Sequence, residues 1–256
     1  MNYSLQAGGK RIRPLLVLAT ADYLNLEETS ILPYCAAIEM IHTYSLIHDD
    51  LPGMDNDDLR RGKPTNHKKF GEGIAILAGD GLLSYSFEYL SRELLLYFTA
   101  ENILKTINFL AQAIGPYGMV GGQQVDIEKE NTKLDFQQLK LLATLKTGKL
   151  INAAITGPLL LKGGTDEEIE NWENFATDIG ILFQLTDDIL DVTGEKGKMG
   201  KEVNKDLNIG KNTFVSILGL NNAIEYKNKL LTQILSENRG GYFLSELVKF
   251  IADRDY

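Results

Sequence analysis

Two aspartate-rich segments lie far apart in the chain, Asp49-Asp50-Leu-Pro-Gly-Met-Asp55 and Asp187-Asp188-Ile-Leu-Asp191. Carboxylates held together repel, by roughly 4 kcal/mol for a pair about 4 Å apart at a surface-like dielectric. A fold keeps two such clusters when a cation or water separates the charges. Hard divalent cations suit oxygen ligands, and magnesium in particular takes a few carboxylates together with substrate phosphates. Basic segments answer the acidic ones. They are Gly8-Gly9-Lys10-Arg11-Ile12-Arg13-Pro14, Arg60-Arg61-Gly62-Lys63, Lys146-Thr147-Gly148-Lys149, and Lys198, Lys201, Lys205 and Lys211. Cations at a helix start suit an oxyanion such as phosphate.

Several other chemistries fail on spacing. An EF-hand starting at Asp55 needs an acid or amide where Leu59 stands and a glycine where Arg60 stands. A P-loop over Gly194–Lys201 has one residue too many and Glu202 in place of Ser or Thr. No glycine fingerprint for dinucleotides follows a strand pattern. The net charge of −9 argues against nucleic acid as the main partner, since phosphate backbones require a basic face. The lone Cys35 excludes an internal disulfide, fits a reducing compartment, and reads as a small buried hydrophobe.

The elements that must position these residues are helical. Ile12, Leu15, Leu16, Leu18 and Ala19 form one apolar stripe; Ala36, Ala37, Met40, Ile41, Tyr44 and Ile47 form another that runs into the first aspartates. Further helical periods cover roughly 74–97, 101–120, 135–157, 167–192, 213–236 and 243–253, and no alternating strand pattern is convincing. Segments 51–73 and 194–212 are the main surface loops. No secretory signal opens the chain, and the uncharged run Thr106–Val125 holds too many glycines, amides and a proline to span a bilayer. The chain is expected to be one all-α domain in the cytoplasm.

On a helix Asp187, Asp188 and Asp191 share one face, being three and four residues apart. Asp49 and Asp55 are six apart and would diverge on a continuous helix, so Pro52-Gly53 must reroute the chain for them to converge.

In their order along the chain, six segments resemble the trans-isoprenyl diphosphate synthases, in particular the short-chain bacterial group that makes farnesyl or geranylgeranyl diphosphate. They are Gly8–Pro14, Ile41–Thr65, Gly118–Asp126, Lys146–Leu150, Phe183–Asp191 and Gly210–Phe214. The resemblance implies an isoprenoid-synthase-type helical bundle around a deep cavity, usually as a homodimer. It implies condensation of isopentenyl diphosphate with an allylic diphosphate, with three magnesium ions on the bound diphosphate. In that scheme Asp49, Asp50, Asp55 and Asp187 hold the ions, and Asp188 and Asp191 support them. Arg60, Lys146 and Lys201 contact the allylic diphosphate. Lys10, Arg13, His42 and Arg61 bind isopentenyl diphosphate. Thr147 and Gln184 line the reacting centre, with Gln123 and Asp126 near it. His48 and His67 are left as structural residues or as residues that stand behind the ones touching substrate.

Tyr44 lies five residues before Asp49, with Ser45 next to it. On a helix it stands about one turn below the acidic end, where a growing tail must go. Farnesyl-making relatives carry an aromatic there together with the two-residue insertion seen here at Pro52-Gly53, so the resemblance implies a C15 product rather than C20. It also implies a first helix before the Gly8–Pro14 segment, where only seven residues stand; domain 1–256 is therefore expected to lack it. A non-catalytic partner subunit would have lost motif aspartates, and a terpene cyclase would lack the Gly8–Pro14 and Lys146–Leu150 segments.

Overall fold

A helix whose side chains are apolar or small on every side is stable only in the middle of a bundle, and Leu150–Leu161 forms one, buried along its whole length. The computed structural model describes residues 1–194 and 212–254. Its helices are α1 (Asn2–Leu5), α2 (Ile12–Tyr23), α3 (Glu28–Asp49), α4 (Asn66–Phe70), α5 (Glu72–Glu93), α6 (Ala100–Ile114), α7 (Met119–Glu128), α8 (Phe136–Ala143), α9 (Lys149–Lys162), α10 (Asp166–Thr193), α11 (Phe214–Leu218), α12 (Leu220–Ser236) and α13 (Gly241–Asp253). The central α9 packs against α2, α6 and α10, while α3 lies along α5. Among the described residues no helix is long and apolar enough to cross a membrane.

Four details depart from the sequence expectation. The period over 213–236 is two helices, α11 and α12, parted at Gly219 with φ 78°. The period over 101–120 is two helices, because Gly115 and Pro116 end α6 and α7 starts at Met119. The period over 135–157 is interrupted by a π-helical turn at Thr144–Gly148 between α8 and α9, a feature that often marks functional positions. The loop at 51–73 contains α4 and a two-residue hairpin, β1 (Leu59–Arg60) and β2 (Lys63–Pro64). Arg61 and Gly62 turn it with φ of 54° and 73°, as a two-residue hairpin turn requires. Strands this short carry no alternation for a sequence to display.

Glycines let the helices around the π turn approach closely. A Cβ at Gly180 of α10 would lie 2.6 Å from the Gly148 Cα, and one at Gly122 of α7 would lie 2.4 Å from the Lys146 nitrogen. The backbone around Lys146 and Thr147 is thus held between α7 and α10. Side-chain caps fix where α8, α10 and α11 begin: Asp135 with Gln138, Thr165 with Glu168, and Thr213 with Ser216.

Candidate active site

The last residue of α3 is Asp49, and the chain after it folds back. The Asp55 amide donates to the Asp49 carbonyl at 2.9 Å and the Met54 amide to the Leu51 carbonyl at 2.9 Å, so the turn through Pro52-Gly53 does bring Asp55 back beside Asp49. Burial pushes the Asp49 carboxyl up to about 6; Lys146 opposes that shift and Asp55 adds to it. Asp50 points elsewhere. It is 3% exposed and accepts from Arg60 Nε at 2.7 Å, while Arg60 also reaches Asp57 at 3.4 Å. Thr65 closes this loop by donating its hydroxyl to the Asp57 carbonyl at 2.7 Å.

On α10, Asp187 and Asp188 follow each other yet face different partners. Asp187 meets the Arg254 guanidinium at 2.8 Å. Asp188 accepts from Gln184 Nε2 at 2.8 Å and from the Phe214 amide at 2.7 Å. Gln184 in turn accepts from the Thr147 hydroxyl at 2.7 Å. A continuous hydrogen-bond chain therefore joins the π turn, α10 and the start of α11. Next to it Lys146 Nζ bonds Asp126 of α7 at 2.5 Å. The more distal Asp191 lies one turn beyond Asp188 on the same helix, half-buried.

The basic face is built from α2, α3 and the hairpin. Arg11 caps α2 in a left-handed conformation, φ 54°, where it pairs with the nearly buried Glu39 and donates to the Leu5 carbonyl at 2.5 Å. Arg61 donates to the Gly8 carbonyl, and Gly9 lies so close beneath its guanidinium that a Cβ would clash at 2.4 Å. Lys10 sits between these two anchors. Arg13 stands 3.3 Å from His42 Nε2. Burial brings the Arg13 guanidinium down to about 10, with Glu39 and Asp187 working against the shift; that places Asp187 within electrostatic reach of Arg13. Arg13 and Arg254 share the Phe183 ring, at 5.5 and 4.1 Å from its centroid. The Nε atoms of both arginines are buried without a hydrogen-bond partner among the described residues, which leaves donors for an oxyanion.

Between these groups opens a cavity of about 610 Å³. Its polar lining includes Arg13, His42, Asp49, Lys146, Thr147, Ser45, Gln123 and Glu128, and its apolar lining includes Tyr44, Met119, Val120 and Ile127. A smaller space of about 100 Å³ is lined by Asp126, Gln184 and Asp188, and Lys146 and Thr147 border both. Arg60 and Arg61 border neither; they line a narrow pocket against α1. Lys201 lies outside the described residues.

Among the described residues no three acidic or histidine side chains stand closely enough to hold an ion by themselves. The donor chemistry nonetheless fits magnesium, which keeps waters and takes one or two carboxylates together with substrate phosphates. Asp49 is a carboxylate held partly out of water beside Asp55, and such a pair gains from a hard cation.

Two groups escape sequence reasoning. Arg254 lies 67 residues beyond Asp187, with no local pattern to connect them. Glu39 did leave a signal, as a carboxylate on an apolar stripe less than one turn before His42.

The polyprenyl synthetase family profile matches residues 1–242. The farnesyl diphosphate synthase of Bacillus subtilis (strain 168) is 47% identical over 263 residues, covering 100% of this chain and 88% of that protein. The heterodimeric geranylgeranyl pyrophosphate synthase large subunit 1, chloroplastic, of Arabidopsis thaliana is 47% identical over 234 residues, covering 90% of this chain and 63% of its own length. Among solved structures, a geranyltransferase from Helicobacter pylori complexed with magnesium and isoprenyl diphosphate aligns with a TM-score of 0.84 at 39% identity, covering 97% of this chain and 84% of that one.

Proposed function

The chain belongs to the polyprenyl synthetase family, and from that membership we propose that it is a magnesium-dependent prenyltransferase making farnesyl diphosphate from isopentenyl diphosphate and dimethylallyl or geranyl diphosphate. The observation that carries this is the cavity of about 610 Å³, lined both by the apolar side chains of Tyr44, Met119, Val120 and Ile127 and by Asp49, Lys146, Arg13 and His42. It suits a hydrocarbon tail with a diphosphate head.

In this reading Asp49, Asp55 and Asp187 would hold three magnesium ions with the allylic diphosphate, and Asp191 would support them. Magnesium, when bound, neutralises the charge that builds on the departing diphosphate. Lys146 adds fixed positive charge at the same place. Asp50 and Asp188 act from behind, Asp50 by holding Arg60 and Asp188 by orienting Gln184. Lys10, Arg13, His42 and Arg61 receive isopentenyl diphosphate, with Arg254 as a further donor. Breaking the allylic C–O bond leaves a carbocation that water would quench, so Met119, Val120 and Ile127 keep the tail space apolar. The Thr147 oxygen, a donor to Gln184, retains lone pairs that favour positive charge nearby. The double bond of isopentenyl diphosphate attacks the cation, and the released diphosphate takes the proton that is lost.

Tyr44, 6% exposed, is the floor in this scheme, which favours a C15 product. Incubation with magnesium, isopentenyl diphosphate and geranyl diphosphate should yield farnesyl diphosphate by product chromatography, and absence of any elongated product would sink the reading. Y44A should move the product to C20 or longer; a variant that still stops at C15 shows that Tyr44 is not the floor. The enzyme is expected to work as a homodimer through α5, whose Ile74, Leu77 and Tyr85 lie exposed on one side.

A further inference from the structure

We propose that His48 is a second specificity-determining residue: seated in a notch at Gly79, it buttresses Tyr44 and so fixes where elongation stops. This rests on the prenyltransferase reading above. Tyr44 and His48 stand four residues apart on α3, so both side chains leave the same face, and both line the large cavity. Their rings meet edge to face, centroids 5.7 Å apart and planes at 82°, the geometry that aromatic pairs favour.

The imidazole is itself held from α5. Its Nε2 lies 3.1 Å from the Ile76 carbonyl oxygen, to which it donates in the Nε2-protonated tautomer, and 3.8 Å from the Asp80 carboxylate. Room for it exists because residue 79 has no side chain; a Cβ there would stand 2.1 Å from Nε2, far inside contact distance. Gly79 admits His48, and His48 braces Tyr44. The wall that a growing tail meets is therefore a pair of rings tied to a neighbouring helix. Without the imidazole, a space opens beside Tyr44 into which the phenol ring turns, and the cavity deepens although Tyr44 is unchanged.

The test is product length, which a general loss of stability does not lengthen. Wild type, Y44A, H48A and Y44A/H48A are each given magnesium, isopentenyl diphosphate and dimethylallyl diphosphate, and the dephosphorylated products are separated by chain length. Wild type should stop at C15. H48A should raise the C20-to-C15 ratio about tenfold or more, the scale on which pockets discriminate small apolar differences. The double variant should match Y44A, since His48 acts through Tyr44. H48Q keeps an N–H donor for the Ile76 carbonyl but has no ring edge, so it should lengthen the product as H48A does and covers the case in which H48A folds poorly.

H48A and H48Q that still stop at C15, in an assay where Y44A lengthens the product, overturn the proposal. A double variant that exceeds Y44A overturns it too, because His48 would then act independently. A wild type that forms no prenyl product overturns the underlying reading, and that control tells the two failures apart.

Discussion

Burial, and then the positive charge of Arg13, Arg61, Arg60 and Arg11, holds the His42 imidazole well below its ordinary pKa of 6.5. His42 is therefore neutral at pH 7 and accepts from Arg13 through Nε2. The sign of its effect on stability follows from proton uptake. As the pH falls through 6.5 the unfolded chain binds a proton that the folded one refuses, so the contribution is present above 6.5 and is lost towards the lower folded value. In urea unfolding, wild type should lose stability over that interval with a slope of up to about 1.4 kcal/mol per pH unit from this one group. H42N has nothing to titrate there and should lose less. Equal losses in the two proteins would mean that His42 titrates like a free histidine.

Helix propensity and packing disagree at the junction of α10 with the π turn. Alanine favours a helix over glycine by about 1 kcal/mol, so G180A would stabilise an isolated α10. In the fold the new Cβ meets the Gly148 backbone at 2.6 Å, and backbone cannot swing aside as a side-chain tip can. Overpacking of this kind costs about 1–3 kcal/mol. G180A should therefore lower the thermal midpoint by a few degrees, and it should lower kcat as well, because the Thr147–Gln184 bond spans the same junction. A variant with a raised midpoint and unchanged kcat would show that the two elements can separate freely.

Across the whole molecule, α5 serves two surfaces. Its inner side receives α3 and the His48 ring, while Leu77, 65% exposed, and Ile74, 54% exposed, lie uncovered. Covering such side chains against a second copy removes apolar area at about 25 cal/mol per Å². Light scattering on a sizing column should show a dimer for wild type and a monomer for L77D at micromolar concentration. A monomeric wild type would refute the proposed interface.

What the sequence determined by itself was the chemistry and the helical class. Acidic clusters, basic segments and apolar periods are local properties, legible as residue types at fixed spacing. The Pro52-Gly53 turn was legible as well, since it is made by neighbouring residues and closes with the Asp55-to-Asp49 bond. Tertiary structure decided which carboxylates face the cavity. Asp49 and Asp50 are adjacent, yet one borders the cavity and the other turns to Arg60; Asp187 and Asp188 divide likewise between Arg254 and Gln184. Neighbours on a helix point about 100° apart, so what each meets depends on elements remote in sequence. Arg254, Glu39 and the Gly79 notch acquire their meaning in the same way, from helices that pack together only once the chain has folded.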